Sequence, residues 1–445
     1  MKISVFSRNI IMGALWKSLL ATTLFMIFYL LYSMEIVRSN VEDVAFDTVN
    51  KFSIHNNPVE TRSAQVLLFA FDDLYMKEHQ LFDEDNRSNY GYLFPRDRIA
   101  RFIEDLDELV SELSKEQYPK ALFIDYDMSF TAMPYGKSLA QEDRKLLEVL
   151  KRPRPYSILL PKTEQANFIE TSDDKGIQQA IKEHRIRLVS VSLLQSRDDV
   201  VRRYQSFQSF GETDPSEPYI GVSPALWQLL RGDSIDVDAI RDEFNEKDII
   251  GNRIFLKAYN DGVKDEENCL VQYSQWQQLR KYSAVCSLFE IDYDEFSGSV
   301  VMLGGTHSQN NDKFSVLSVL RAQTFSGIDI HANALMTMLH LDASLKRFPL
   351  WSSMIVIFIS FFLLDSLVAL LFFKLHLNNE KLAFIMLLIF SMLLLVSLSV
   401  YLLRVHHLWF NWFVPLILFQ LLEVLFLLRK HSPLVILKLI QKLRK

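Results

Sequence analysis

Four long apolar runs constrain the fold of this chain more than any other feature of its sequence. Residues 350–373, 382–403 and 408–428 each contain at least 20 residues, which is enough for a helix to cross the hydrocarbon core of a bilayer. Residues 18–34 form a shorter uncharged run, but Lys17 at its start can extend its amine to the interface. Bulky residues stand where a signal peptidase needs small ones, so this run is predicted to remain as a signal anchor. The sequence therefore predicts four transmembrane helices, one N-terminal and three C-terminal.

The basic residues near these runs predict the orientation of the chain. Lysine and arginine precede the first run, separate the second from the third and follow the fourth, whereas the loop between the third and fourth runs holds Arg404 and two histidines. Because basic loops stay in the cytoplasm, both termini are expected there. The predicted organisation is a cytoplasmic N-terminus with a signal anchor (1–34), an extracytoplasmic domain (35–348), three transmembrane helices (349–428) and a basic amphipathic cytoplasmic tail (429–445) that lies on the lipid bilayer.

Charge is divided along the chain in the same way. Residues 1–34 carry three basic and no acidic residues, and residues 349–445 carry nine basic and three acidic ones. Residues 35–348 carry 36 basic and 51 acidic residues, so this middle segment is strongly negative. A phosphate backbone would be repelled by it, and we expect no nucleic acid among the partners. Apolar, basic ends around an acidic middle also exclude a wholly soluble enzyme.

The predicted extracytoplasmic domain alternates apolar strands with amphipathic helices. Residues 66–71 form a continuous apolar run typical of a strand buried on both faces, and a second such strand covers 121–124. Between them, apolar residues recur every three or four positions from 99 to 113, which predicts a helix and makes the two strands parallel neighbours. Further strands are expected at 156–160, 188–194, 254–259 and 300–303, and further helices at 142–150 and 328–341. The fold class is therefore α/β, with a mainly parallel or mixed sheet flanked by helices.

Acidic residues follow the predicted strands. Two aspartates follow the first strand and two follow the second, so all four should meet at the carboxyl edge of the sheet, where open α/β sheets bind ligands. A Gly-rich loop after residue 303 contributes another aspartate, and a histidine is expected in the first turn of the 328–341 helix, where the helix end disfavours its protonation. The predicted ligand-binding residues are Asp72, Asp73, Asp125, Asp127, Asp312, His331 and Asn333.

The sequence leaves three interpretations of this set open. Carboxylate oxygens with one imidazole suit Mg²⁺, Ca²⁺, or a cationic or hydroxylated ligand. Acidic residues at strand ends also form Asx turns and cap helices. Catalysis is the third interpretation, but the motifs G-x-S-x-G and H-E-x-x-H are missing from the sequence. We therefore predict no catalytic residue and no cofactor, and the presence of a metal stays open.

Two acidic residues lie inside the predicted transmembrane helices. Asp365 and Glu423 are at similar depths toward the cytoplasmic side of the second and fourth helices. An intramembrane acid indicates a functional role by default, here transmembrane coupling. The alternative is that both side chains reach the nearby interface beside Lys374 and Arg429.

The two cysteines, Cys269 and Cys286, both fall in the predicted outer domain. An oxidising compartment permits a disulfide between them, and the sequence leaves its formation open.

Seven segments of the middle region stand in an order that resembles the CHASE domain, type 2, an extracytoplasmic sensory domain of bacterial membrane receptors. The matching segments are VLLFAFDD (66–73), FPRDRIARFIEDL (94–106), KALFIDYDMSF (120–130), EDRKLLEVL (142–150), SRDDVVRRY (196–204), VMLGGTHSQNNDKF (301–314) and FSGIDIHANALMTML (325–339). In one of them Asp199 replaces a family glycine, so a turn there must be built differently. The signal anchor and the three later helices also match the usual layout of this family.

The resemblance implies a sensory or coupling protein of the bacterial inner membrane. Members usually continue into a cyclase or kinase domain, whereas this sequence stops, so we expect the output to come from a separate subunit. The other expected partners are a small envelope ligand and a second copy of the chain. The alternative functions are a structural, non-catalytic subunit of an envelope complex and, less favoured, an outward-facing metal-dependent hydrolase.

Overall fold

The computed structural model divides the chain into two compact units. Residues Ile54–Ser344 form one, called here the α/β domain, and Met1–Ser53 with Leu345–Lys445 form the other, called here the membrane unit. The structure describes residues 2–31, 43, 45–49, 65–82, 94–129, 137–165, 167–195, 199–210, 218–232, 234–244, 252–257, 263–264, 270–274, 276–310, 312–316, 323–374 and 380–431.

The helices of the described residues are distributed over both units. In chain order they are α1 (Lys2–Leu31), α2 (Asp73–Glu78), α3 (Arg96–Glu112), α4 (Lys137–Leu150), α5 (Lys175–Lys182), α6 (Val222–Arg231), α7 (Val237–Glu243), α8 (Gly327–Leu341), α9 (Leu350–Lys374), α10 (Glu380–His406) and α11 (Phe413–His431). The 3₁₀-helices are Lys115–Gln117, Leu288–Glu290 and Tyr293–Phe296.

Most strands belong to the α/β domain. In chain order the strands are β1 (Val66–Phe71), β2 (Ala121–Asp125), β3 (Ser157–Lys162), β4 (Ile186–Ser190), β5 (Leu193–Gln195), β6 (Val201–Tyr204), β7 (Phe207–Gln208), β8 (Tyr219–Ile220), β9 (Val263–Lys264), β10 (Leu270–Tyr273), β11 (Leu279–Ser283), β12 (Val300–Gly305), β13 (Lys313–Val316), β14 (Gln323–Ser326), β15 (Lys346–Arg347) and β16 (Leu408–Trp409). The last two pair with each other within the membrane unit.

An eight-stranded sheet organises the α/β domain. Its order is β4-β3-β2-β12-β1-β11-β10-β9, and the first six strands are parallel. The pairs β11/β10 and β10/β9 are antiparallel. This topology confirms the predicted α/β class with a mainly parallel sheet.

The sheet is buried on both faces. All six residues of β1 and of β12 are buried, as their uninterrupted apolar sequences predict. Leu67 and Phe69 of β1 pack into one core with Ile99 and Ile103 of α3. Helix α8 lies against β12 so closely that a Cβ at Gly304 would collide with Ile328. A glycine is therefore needed there for α8 to pack directly onto the central strand.

Three of the predicted details are wrong. β1 and β2 are not neighbours, because β12 lies between them and pairs with both. The predicted strand at 188–194 is two strands, β4 and β5. Within 254–259, the described residues 254–257 do not form a strand. The Ile254 amide donates to the Arg202 carbonyl of β6, but the Phe255 and Lys257 amides donate to side chains of α8 instead of a neighbouring strand.

The turn at Asp199 keeps a backbone conformation that glycine favours. Its φ is +59°, in the left-handed region. Aspartate tolerates this region better than most residues because its short polar side chain can bond locally. The replacement of the family glycine therefore does not require a different turn.

The membrane unit contains two helices that are long and apolar enough to cross a membrane. They are Trp351–Leu371 within α9 and Ile385–His406 within α10. The other two predicted spans correspond to α1 and α11, whose described apolar stretches, Met12–Ile27 and Phe413–Leu422, are too short to meet the same criterion. The structure thus supports two spans rather than the predicted four. The predicted amphipathic tail lies mostly outside the described residues, which end at residue 431.

Candidate functional site

A pocket of about 360 Å³ opens at the carboxyl ends of four adjacent parallel strands, β4, β3, β2 and β12. The loop after β12 and the start of α8 complete its wall. Its lining consists of Met76, Phe94, Asp125, Tyr126, Asp127, Pro161, Thr163, Val191, Leu193, Gly305, His307, Gln309, Asn310, Asp312, Gly327 and His331. This is the edge at which open α/β sheets bind ligands.

Two carboxyl groups form the acidic part of the pocket. Asp125 is the last residue of β2, and burial raises the pKa of its carboxyl well above the usual value, with repulsion by Asp312 acting in the same direction. Burial likewise raises the pKa of Asp312, although Asp312 accepts a hydrogen bond from the Gly327 amide at 3.0 Å, which favours its charged form. A Cβ at Gly327 would collide with the Asp312 carboxylate, so a glycine is needed for this contact. The protonation equilibria of the two carboxyls are therefore coupled.

His331 places a buried imidazole at the pocket. The residue is 3% exposed, and its Nδ1 has no hydrogen-bond partner among the described residues. Burial lowers the pKa of His331 to about 4, and a hydrogen bond with the backbone of Val191 opposes this effect. A backbone bond that favours protonation is one in which the ring N–H donates to a carbonyl, which leaves Nδ1 as an acceptor. The ring is neutral because it is buried, not because it lies in the first turn, since α8 begins four residues earlier at Gly327.

Two further polar groups of the lining were not predicted. The Oη of Tyr126 and the Nδ1 of His307 are buried, and neither has a hydrogen-bond partner in the described part of the chain. Burial lowers the pKa of His307. The Tyr126 ring stacks on Phe94 at 4.5 Å between ring centroids. The pocket therefore combines an aromatic wall with polar atoms that protein groups do not satisfy.

Asp72 and Asp73 do not line the pocket, contrary to the prediction. Asp72 caps α2 by accepting from the Tyr75 amide at 2.9 Å, and it accepts from the Ser283 hydroxyl at the same distance. Asp73 accepts from the amide and the hydroxyl of Ser308 at 2.7 and 2.8 Å. Both carboxylates turn toward β11 or the loop after β12 because donors are available there. They support the site rather than forming it.

Asn333 lies outside the pocket lining and is fully buried. Its Oδ1 accepts from the Lys257 amide at 2.8 Å and from Trp276 Nε1 at 3.0 Å, and its Nδ2 donates to the Asp329 carbonyl at 2.8 Å. Both its oxygen and its nitrogen are bonded within the protein, so it has a structural role. Asp127 lines the pocket and also forms an Asx turn, accepting from the Ser129 amide at 2.8 Å.

Within the described ranges, no group of three or more His, Cys, Asp or Glu residues is close enough to hold a metal ion. Because Asp72 and Asp73 lie outside the pocket lining, Asp125 and Asp312 are the pair of interacting carboxyls in the pocket. The predicted cluster of strand-end aspartates around a cation does not form among these residues.

An ion pair joins two helices of the membrane unit. The Lys17 amine of α1 donates to the Asp365 carboxylate of α9 at 3.2 Å, and both side chains are mostly buried. Asp365 therefore has a partner on another helix rather than only an interfacial position. The side chain of Glu423 in α11 lies outside the description.

Cys286 is disulfide-bonded. Cys269, the other cysteine of the chain, lies outside the described residues. A disulfide is typical of a compartment that is more oxidising than the cytoplasm.

Residues 21–369 match the CHASE2 domain. This chain belongs to the CHASE2 domain family. The match covers more than half of the chain, beginning within α1 and ending within α9. CHASE2 is an extracellular sensory domain family of signalling receptors. No curated protein and no solved structure is significantly similar to the chain.

Part of the CHASE2 pocket was predictable from the sequence. Four of the seven predicted residues, Asp125, Asp127, Asp312 and His331, line it. The polar run between Gly305 and Asp312 contributes three more lining residues, His307, Gln309 and Asn310. A polar run directly after a buried strand indicates a loop at the sheet edge, so these residues could have been predicted from the sequence. Phe94, Thr163 and Leu193 come from other loops and strands and show no comparable pattern.

The buried histidine predicts how the stability of this CHASE2 domain depends on pH. In the unfolded chain His331 binds a proton below about pH 6.5, whereas in the folded domain it stays neutral to about pH 4. Stability contributed by the neutral ring is therefore present above pH 6.5 and lost as the pH falls to 4. The loss amounts to about 3 kcal/mol. We expect His331→Gln to remove this part of the pH dependence in thermal unfolding of the full chain.

A neighbouring substitution separates this titration from packing. Phe123→Leu changes the ring that meets His331 edge to face at 6.0 Å but alters no ionisable group. It should lower the melting temperature by a similar amount at every pH. Asp125 and Asp312 also titrate in this pocket, in the wild type and in His331→Gln alike. The quantity to compare is therefore the difference in melting temperature between His331→Gln and the wild type at each pH. An unchanged slope in His331→Gln would contradict the assignment.

Proposed function

We propose that this chain is a sensory or coupling protein of the bacterial inner membrane. Its outer domain, residues 35–348, binds a small envelope ligand in the pocket, and its membrane helices pass the change to a separate output subunit. Both termini lie in the cytoplasm. The observation that carries the proposal is the pocket itself, in which a buried His331 nitrogen without a described partner lines a cavity of about 360 Å³ in a sensory-domain family.

The path of the chain supports a role in relay. Helix α8 lines the pocket with Gly327 and His331, and it ends at Leu341. Eight residues, 342–349, then lead to α9, the first of the two helices that are long enough to span a membrane. A displacement of α8 on ligand binding would therefore act on a short connection to the bilayer. Asp365 and Glu423 remain proposed coupling residues on the membrane side.

The orientation has separate support. Basic residues flank the apolar runs on one side, which favours cytoplasmic termini. The disulfide at Cys286 is consistent with an oxidising compartment for the domain. Reporter fusions test this directly: a fluorescent protein fused after Lys445 should fluoresce, and alkaline phosphatase inserted between residues 211 and 217 should be active.

Ligand sensing is tested with a pocket-blocking variant. Leu193→Trp places an indole at a partly exposed position of the pocket wall. The full chain is purified in lipid nanodiscs without added ligand, and retained small molecules are identified by mass spectrometry. We expect a compound that the wild type retains and the variant lacks, and a difference in hydrogen exchange along α9. Equal retention and equal exchange in the two proteins would contradict ligand sensing through this pocket.

A further inference from the structure

The lining of the pocket has a one-sided charge. Of its sixteen residues, three are aspartates and none is a lysine or arginine in the described part of the wall. Lys281 is bound to Asp329, whose two oxygens it approaches at 3.0 and 3.2 Å, and Lys162, which stands between the lining residues Pro161 and Thr163, is paired with Glu170. Lys313 donates to the Ser308 carbonyl at 3.0 Å. A ligand carboxylate or phosphate would therefore find no described basic side chain in the lining.

The buried side-chain atoms of the lining without a described partner can all accept hydrogen bonds, and the Tyr126 hydroxyl can donate as well. The Nδ1 of His331 is an acceptor without a described partner, and the oxygens of Asp125 and Asp312 are acceptors whenever these groups are ionised. One amide hydrogen of the Asn310 side chain is used within the protein, since Nδ2 donates to the Gly305 carbonyl. A surplus of acceptors favours a ligand that brings its own donors.

An aromatic surface completes this chemistry. Phe94 and Tyr126 stack on each other and both line the pocket. Aromatic faces attract ammonium groups, and the attraction strengthens when the site is desolvated. A volume of about 360 Å³ is at the lower end of the range for small-molecule sites.

We infer that the ligand is a small organic amine whose ammonium group binds between Asp125, Asp312 and His331 and which carries no carboxylate or phosphate. This inference rests on the proposed sensory function and adds the chemical class of the ligand. The ammonium donates to the carboxylates and to His331 Nδ1, and the alkyl part of the ligand lies against Phe94. Binding of the cation keeps both carboxyls ionised, which their burial disfavours.

An isosteric series tests the ligand class. The full chain in nanodiscs is titrated by calorimetry at neutral pH with 1,4-diaminobutane, 4-aminobutanol, 1,4-butanediol, 4-aminobutanoate and choline. We expect the two primary amines to bind, the diol to be silent, and the zwitterion to bind at least about tenfold more weakly, because its carboxylate faces Asp127 or the acidic pair. Choline, which cannot donate through nitrogen, distinguishes hydrogen bonding from attraction to the aromatic wall.

Two variants show whether binding occurs at the proposed atoms. Asp125→Asn should weaken amine binding about tenfold to a hundredfold, because a charge-assisted hydrogen bond is lost. It should still fold, since it removes a carboxylate that the domain disfavours burying. Asp238→Asn makes the same change of charge on the exposed α7 and should leave binding unchanged.

The outcomes separate the ligand class from the sensory function. Binding of the diol or the zwitterion as tightly as the amines, with the same loss in Asp125→Asn, would overturn the amine class while the pocket remained a ligand site. Failure of both primary amines and of choline to bind at millimolar concentration would also overturn it. The sensory proposal itself fails only if wild type and Leu193→Trp retain the same small molecules and show the same exchange.

Discussion

Replacing Asn333 with leucine is expected to lower the free energy of unfolding of the α/β domain by about 3–5 kcal/mol. Leucine has a similar shape but no acceptor. The Lys257 amide and Trp276 Nε1, which donate to Asn333 Oδ1 at 2.8 and 3.0 Å, would remain in the interior without it. Each buried donor without an acceptor costs about 1–3 kcal/mol. The measurement is the urea midpoint of the full chain by pulse proteolysis.

A second residue on the same helix provides a graded control. Thr337, one turn after Asn333, accepts from the Phe255 amide through its Oγ1 at 2.9 Å. Asn333 and Thr337 thus hold alternate amides of the 252–257 segment against α8. Thr337→Val keeps the volume and removes one acceptor, so its cost should be about 1–2 kcal/mol. Equal midpoints for the two variants would mean that Asn333 does not hold both donors.

Asn333 also illustrates what a sequence motif cannot tell. It was predicted as a ligand-binding residue because it stands in a distinctive segment beside His331. Two residues along a helix point about 200° apart, so the two side chains face different surroundings. His331 faces the pocket, whereas Asn333 faces the 252–257 segment and Trp276. The sequence motif indicates that both His331 and Asn333 have a role, but it does not show which face of α8 each side chain occupies.

The central sheet was predictable in its strands but not in their order. Continuous apolar runs identified β1, β2, β3 and β12 because burial on both faces leaves no polar position. Strands that follow each other usually pair, which favoured β1 next to β2. The insertion of β12 between them is a pairing between residues far apart in sequence, which no local pattern shows.

The supporting role of Asp72 and Asp73 was hidden for a similar reason. Their donors, Ser283 and Ser308, are more than 200 residues away in the chain. Local pattern placed the carboxylates correctly at the sheet edge but could not show which donors the fold would bring to them. The intramembrane acid Asp365 is a parallel case, since its partner Lys17 is 348 residues distant.

Neutralising one member of the Lys17–Asp365 pair is expected to destabilise the membrane unit by about 3 kcal/mol. In Asp365→Leu the Lys17 ammonium keeps its charge within the helix packing and loses the carboxylate at 3.2 Å. In Lys17→Leu the Asp365 carboxylate likewise keeps its charge and loses the Lys17 ammonium. Thermal unfolding of the full chain in nanodiscs, followed by size-exclusion fluorescence, should show a lower melting temperature for both.

The double variant distinguishes a pair from two independent residues. In Lys17→Leu/Asp365→Leu both members of this ion pair are replaced by apolar side chains, so most of the loss should be recovered, as for other buried ion pairs replaced in this way. Thr23→Val in α1, where the hydroxyl donates to the Leu19 carbonyl of its own helix, should have little effect. Additive losses in the double variant would show that the two residues act separately. Recovery would show that α1 and α9 are joined at this level of the membrane, so that a displacement of α9 must also move α1 or break the pair.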